Sequence, residues 1–516
     1  MSFDKLITKI RSDSKNTVEL GNSFEQVCKI FLENDDVYSN EYEKIWHYKE
    51  WAKENPNFSP GDIGTDLVAS IKGSEGKFCA IQCKCFGSEH SVTKEDIDTF
   101  MSSSESDIFE KRILMDTSSQ DLGRHARSAI ENSSKEFIRI QSSEFRDSRI
   151  DWLSYLSDNK VKLRSKKELR DYQAIDVEAV VKGLEKDDRG KLIMACGTGK
   201  TFVSLRIAEK IAGKGKMVLY MVPSLALMSQ TIREWKNDAS EDFYAFSACS
   251  DKKVGKRKQA DDEITLGLND LSLPATTNPN ELSEKIKNQK TDKMIVVFST
   301  YQSIDVISSA QYEHNLKEFD LIICDEAHRT TGATLKGDDE SNFVKIHDNE
   351  NIKSKKRLYM TATPRIFGEN AKSKAEDADA ELASMDDEKK YGKVLAHRGF
   401  GWAVEDEHLT DYKVIVLAVD EGIVSQNVKN TLQHQGTELK LDDATKIVGC
   451  HKALQKIWAN ESEKTKSSDS SEINLANQKP MKRAIAFTKT IALSKLFTEE
   501  YSNVIDEYNK NDTISE

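Results

Sequence analysis

The sequence predicts an α/β protein: a front domain of helices and a hairpin, then a region built on a parallel sheet covered by helices. Three observations carry this. From Leu169 onward, short β-rich apolar runs alternate with helical segments, namely "KLIMA", "MVLYMV", "MIVVFST", "DLIICDE" and "KRLYMTAT". Such alternation is expected of parallel strands joined by helical crossovers. In the front, "DLVASI" and "FCAIQCKCF" flank a Gly-containing turn within residues 61–86, which reads as a hairpin. The chain has 516 residues, too many for one core and enough for about three domains.

Divided by pattern, residues 1–150 form the front domain and the polar stretch 151–168 a linker. Residues 169–395 form the first parallel-sheet domain, and 396–516 the start of a second. Residues 371–390 read as a charged insert and 460–479 as a polar loop.

Composition narrows the class. Hydrophobic residues at 38% and charged residues at 31% are ordinary for a soluble globular protein. The apolar run at 217–222 is far shorter than the ~18 residues a bilayer requires, and no signal-peptide core follows Met1, so no membrane partner is expected. Eight scattered cysteines suit reduced thiols in a cytoplasm. A net charge of −12 argues against coating nucleic acid by bulk attraction. It leaves room for local basic tracks at 162–167, 252–258 and 353–357.

In "KLIMACGTGKT" an apolar strand runs into a Gly-rich turn and then a helix. Gly197 and Gly199 let the backbone wrap closely, so that its N–H groups point at phosphate oxygens. The helix N-terminus favours negative charge. Lys200 would reach the outer phosphates and the Thr201 hydroxyl would ligate Mg²⁺. "DLIICDEAHR" is a buried-strand pattern ending in two acids: Asp325 to hold the metal, and Glu326 to orient and deprotonate water.

These elements resemble those of superfamily 2 helicases and translocases with a DEAH-type box. "LRDYQ" at 169–173 resembles the adenine-reading segment, which assigns the base edge to Gln173. "VPSLALMSQT" at 222–231 and "FSTYQS" at 298–303 resemble strand-contacting motifs. "MTATP" at 360–364 resembles motif III, in which Thr361 and Thr363 couple nucleotide state to grip. "AIAFTKTIALSKLF" at 484–497 resembles motif IV, which opens a second RecA-like lobe. The resemblance implies an ATP–Mg²⁺ site lined by Gln173, Gly197, Thr198, Gly199, Lys200, Thr201, Asp325 and His328. No arginine-rich motif VI follows, so the second lobe reads as incomplete. The expectation is a chain that binds ATP but turns it over poorly, because such an arginine is worth ~10³–10⁵ in rate.

Strand alternation in the front hairpin puts Gln82 and Lys84 on one face, and Cys79, Ile81, Cys83 and Cys85 on the other. Asp66 opens the neighbouring strand, and Glu25 lies on the upstream helix pattern "GNSFEQVCKIF". An acid and a Gln carbonyl suit a hard divalent cation, with Lys84 to position water for phosphodiester hydrolysis. Asp62 is the alternative to Asp66. Zinc on the cysteines is disfavoured, because they lack paired CxxC spacing.

The combination resembles the Mrr-like branch of PD-(D/E)xK nucleases, in which Gln replaces the Glu of the ExK pair. Nuclease first and motor second resembles Type I and Type ISP restriction enzymes. "LPATTNPNEL" at 273–282 and "RGFGWAVEDEHLTDYKVIVL" at 398–417 favour the ISP-like group. The fold class implied is a restriction-endonuclease-like α/β domain followed by RecA-like parallel-sheet domains, the second incomplete. The activity implied is ATP-driven movement on double-stranded DNA with Mg²⁺-dependent cutting, in an anti-phage restriction system. Methyltransferase and target-recognition domains would lie in a missing C-terminal part or a partner subunit. The alternatives are an ATP-dependent nucleic-acid switch whose front domain is an inactive binding module, and an RNA helicase.

Overall fold

The computed structural model describes residues 2–59, 61, 64–249, 273, 275–335, 342–377, 380–411, 447–451, 454, 484–487 and 491–512. Contacts divide the chain into two compact units: Met1–Gly255 with Leu266–Thr410, and Lys256–Thr265 with Asp411–Glu516. The break after Thr410 lies later than the pattern boundary at residue 396. No described helix is long and apolar enough to cross a membrane.

The front domain contains α1 (Ser2–Asp13), α2 (Thr17–Asn34), β1 (Tyr42–His47), α3 (Tyr48–Glu54), β2 (Leu67–Ile71) and β3 (Phe78–Lys84). It continues with α4 (Lys94–Ser103), β4 (Phe109–Asp116), α5 (Arg124–Glu131), β5 (Glu136–Ile140), α6 (Ser142–Asp147) and α7 (Trp152–Asp158). The strands form one sheet in the order β1-β2-β3-β4-β5. β1, β2 and β3 pair antiparallel, while β4 and β5 add in parallel. The hairpin is therefore β2–β3, with Leu67 opposite Ile81.

Alternation along β3 divides two cores. Cys79, Ile81 and Cys83 pack with Phe24, Val27, Cys28 and Phe31, whose spacing gives α2 one apolar stripe. Ala80 joins Val68, Trp51 and Phe100 in a second cluster on the opposite face. The face carrying Gln82 is thus apolar over its first half and turns polar only at its end.

The stretch read as a linker from residue 151 opens with part of the front core. Trp152 is fully buried, edge-on to Phe3 at 5.6 Å, and its Nε1 donates to the Phe145 carbonyl at 2.7 Å.

The second domain contains α8 (Asp171–Lys186), β6 (Arg189–Met194), α9 (Lys200–Ile211), β7 (Met217–Val222), α10 (Leu225–Asp238), β8 (Phe243–Ala248) and β9 (Ala275–Thr276). Next come α11 (Pro279–Lys287), β10 (Met294–Thr300), α12 (Ile304–Tyr312), β11 (Leu321–Cys324), β12 (Gly332–Leu335) and β13 (Arg357–Thr361). It ends with α13 (Glu369–Asp377), β14 (Ala380–Ala383), α14 (Glu388–Tyr391), β15 (Lys393–Arg398) and α15 (Phe400–Glu405). The main sheet is ordered β15-β6-β13-β11-β7-β10-β8-β9, and every pairing in it is parallel.

Helices on both faces explain why β7 and β10 read as unbroken apolar runs: every residue of each is buried. Within the predicted charged insert, β14 pairs with β12, and Ala383 and Met385 are buried. Within the second unit, a helix spans Ile491–Asp512, and His451 Nδ1 lies 3.1 Å from the Tyr501 hydroxyl.

Candidate functional site

The phosphate-loop candidate sits where β6 meets α9. Gly197 and Gly199 adopt φ of 81° and 91°, conformations that cost other residues strain. The loop closes on itself, with the Thr198 hydroxyl donating to Ala195 O at 2.7 Å. Lys200 Nζ donates to Met194 O at 3.4 Å. Gln173 lies against this loop: its Nε2 donates to Thr198 O at 2.9 Å, and its Oε1 accepts from Arg170 N at 3.0 Å. A Cβ on Gly199 would collide with the Gln173 amide, a second reason for glycine there.

Asp325 follows β11 and is only 6% exposed. Burial, then the charge of Glu326, pushes its carboxyl up to about 6, while Lys200 pulls the other way. Helix α9, which Lys200 opens, packs against β11, which Asp325 follows. Glu326 N donates to Asp325 Oδ1 at 2.9 Å, Tyr220 OH donates to Oδ2 at 3.3 Å, and Tyr301 OH donates to its carbonyl at 2.8 Å. Neither tyrosine was singled out from sequence, because each lies in or just after an apolar run. Glu326 has φ 48°, unusual for a residue with a side chain.

His328 Nδ1 lies 3.0 Å from Thr361 Oγ1 and 3.4 Å from Glu326 Oε2. Burial holds its imidazole below the usual range. Thr361 Oγ1 also accepts from Thr363 N at 3.1 Å. The acid pair is thereby wired to the threonine pair.

The second candidate lies at the polar end of the front hairpin. Asp66 N donates to Ile81 O at 2.9 Å, which sets the register, and its Oδ2 accepts from Cys83 N at 2.7 Å. Gln82 is 2% exposed, and its Oε1 has no hydrogen-bond partner. Lys84 is half-buried at the end of β3. Glu25 Oε2 lies 3.6 Å from His47 Nδ1, a neighbour that the sequence pattern missed. α2, which carries Glu25, packs on β3 of the hairpin, with Cys28 and Cys83 in one buried cluster.

Asp62 lies outside the described residues, as do the basic run 252–258 and parts of 398–417 and 484–497. Burial pushes the Cys79 thiol up to about 12.

Residues 33–162 match the family described as "Restriction endonuclease", and residues 166–366 match "Type III restriction enzyme, res subunit". The chain carries an Mrr-type nuclease domain followed by a ResIII helicase domain.

As a whole it is similar to the structure titled "ATP-dependent Type ISP restriction-modification enzyme LlaBIII bound to DNA". Identity is 36% and the TM-score 0.77, over 98% of this chain and 31% of that one. A nuclease-deletion mutant of the Type ISP restriction-modification enzyme LlaGI, in complex with a DNA substrate mimic, is also 36% identical. That match covers 66% of this chain and 22% of that one, with a TM-score of 0.44. The chain thus spans about a third of the length of the LlaBIII enzyme. No curated protein matches it by sequence search. The nuclease-then-helicase order and the mixed α/β architecture read from the sequence are borne out.

Proposed function

We propose that this chain works as an ATP-dependent translocase and endonuclease on double-stranded DNA, within a restriction–modification system. The observation that carries the reading is the pairing of two sites in one compact unit: Lys200 beside Asp325 in the ResIII domain, and Asp66 beside Gln82 in the nuclease domain.

The ResIII residues fit a nucleotide. The Gly197 and Gly199 conformations leave backbone N–H groups at a helix start, and Gln173 lies beside them for the base. Thr201 and Asp325 would hold Mg²⁺. Glu326 would orient and deprotonate the attacking water, and His328 with Thr361 would pass the state of that site to the strand-contacting motifs.

The nuclease residues fit a hard cation, because the buried Gln82 carbonyl is an oxygen without a partner next to the Asp66 strand. Asp66 and Gln82 would hold the metal, with Glu25 as a further carboxylate. Lys84 would position the water that attacks the phosphodiester. Bound there, the metal supplies Lewis-acid stabilisation of developing charge. Contacts to DNA phosphates carry no sequence information, so site recognition falls to target-recognition and methyltransferase partners.

The test is cleavage of circular double-stranded DNA with ATP and Mg²⁺. Asp66→Asn and Lys84→Ala are expected to abolish cutting while nucleotide binding persists, and Lys200→Ala to abolish both. Cutting at full rate without ATP would overturn the reading. A second reading is favoured by Gln82 standing where a carboxylate would bind metal more firmly. In it the front domain only binds DNA and the chain is an ATP-dependent switch. Unchanged DNA outcomes in Asp66→Asn would support that alternative.

A further inference from the structure

The segment Gly399–Leu409 lies within the stretch 398–417 that resembles the ISP-like group. It follows β15 and includes α15. Both of its ends meet the loop after β6: Arg398 O, just before it, accepts from Ala195 N at 2.8 Å, and a methyl of its last residue, Leu409, lies 3.2 Å from where a Cβ on Gly197 would sit. Between those ends it meets the turn that carries Gln173. The Tyr172 ring lies 4.9 Å from Trp402 and 4.6 Å from His408, and these two rings are 5.1 Å apart. Arg170, whose backbone N–H holds the Gln173 carbonyl, lies with its guanidinium 3.4 Å from His408 Nδ1. Arg398 completes the frame, 3.1 Å from Asp176 and stacked 4.8 Å from the Trp402 ring.

One segment therefore touches both poles of a bound nucleotide, the phosphate end at Gly197 and the base end at Gln173. Tyr172 is buried and its hydroxyl is tied to Thr198 O at 2.9 Å, so its ring is committed to packing. Trp402 and His408 are only partly buried, and both rings pack on Tyr172, the residue that precedes Gln173. We propose that Trp402 and His408 form the stacking wall for the purine base, making Gly399–Leu409 the outer side of the nucleotide pocket. The proposal rests on the reading that the Gly197–Thr201 loop binds a nucleotide. It adds that affinity for the base, as distinct from the phosphates, is set by a segment on the far side of β15.

Two probes separate the base from the phosphates: ADP, and inorganic tripolyphosphate, which has no base. Both are titrated calorimetrically into the full chain with Mg²⁺. The Trp402→Leu/His408→Ala variant is expected to bind ADP at least about fivefold more weakly, with tripolyphosphate affinity unchanged. Trp402→Phe, which keeps a ring, is expected to retain most of the ADP affinity. An equal loss for both probes would show that the segment only props the loop and would overturn the stacking role, as would no loss at all. A wild-type chain that binds neither probe would instead sink the nucleotide reading beneath it.

Discussion

Arg233 Nη1 lies 3.2 Å from Asp35 Oδ2, and both side chains are nearly sealed from water. Arg233 is on α10 of the ResIII domain, and Asp35 caps α2 of the nuclease domain. The pair is not isolated: Asn237 Nδ2 donates to Asp147 O at 3.0 Å, and Arg149 Nη1 donates to Asn237 O at 3.5 Å. On the same helix, Trp235 Nε1 donates to Thr201 O at 3.1 Å. Helix α10 thus contacts α9 on one side and the nuclease domain on the other.

The first prediction concerns that joint. Removing one partner of a buried ion pair strands the other charge, at a cost of about 3–5 kcal/mol. Asp35→Ala is expected to lower the unfolding midpoint of the whole chain and expose the junction to protease. Joint replacement, Asp35→Leu with Arg233→Met, is expected to recover most of the loss, because apolar packing substitutes well for buried pairs. A neutral Asp35→Ala would show that the domains are held elsewhere.

The second prediction turns on Gln82. A buried carbonyl without a partner costs about 1–3 kcal/mol, which a metal-binding site would tolerate for its ligand. Gln82→Met removes that cost at similar volume. The expected outcome is a fold as stable as the parent or slightly more so, with Mg²⁺-dependent cleavage reduced roughly ten- to a hundredfold. If the Met variant loses stability and keeps its cleavage, Gln82 is structural.

The legible parts were those written in local pattern. The glycine turn between β6 and α9 is legible because positive φ favours glycine at Gly197 and Gly199, and the hairpin because a strand alternates with period two. What stayed hidden depends on distant partners. Asp35 and Arg233 are 198 residues apart, and nothing near either announces the other. Trp152 is one aromatic in a polar stretch, so its docking onto Phe3 left no periodic trace. β15 read as a boundary because "KVLAHR" is half polar, yet it closes the sheet beside β6. The half-apolar face of β3 escaped notice because Phe78 and Ala80 meet α3 and α4, which only the tertiary fold brings there.

A third prediction addresses coupling. Thr361→Val keeps the shape of a fully buried side chain but removes the oxygen that faces His328 Nδ1 and accepts from Thr363 N. Nucleotide binding is expected to survive, because no phosphate contact is lost. The nucleotide-dependent change in DNA affinity is expected to shrink roughly tenfold, read by titrating labelled duplex with and without a non-hydrolysable ATP analogue. An unaltered change in affinity would remove His328–Thr361 from the coupling route.

The fourth concerns pH. His347 is buried, with its Nε2–H donating to Thr330 O at 3.0 Å and its Nδ1 accepting from Tyr359 OH at 3.0 Å. Burial lowers its pKa from 6.5 to about 4. A group whose folded pKa is depressed binds its proton more readily when unfolded. Its contribution is therefore complete above pH 6.5 and lost as pH falls towards about 4. The full loss amounts to about 3 kcal/mol. Asp36 and Asp325, each raised to about 6, titrate in the same range with opposite sign, so the total slope is not diagnostic. The difference between wild type and His347→Gln isolates the imidazole, because Gln can still donate to Thr330 O and does not titrate. Chemical denaturation from neutral pH down to pH 4.5 is expected to show wild type losing stability relative to the variant below pH 6.5. Parallel curves would mean that the His347 site admits the charged ring.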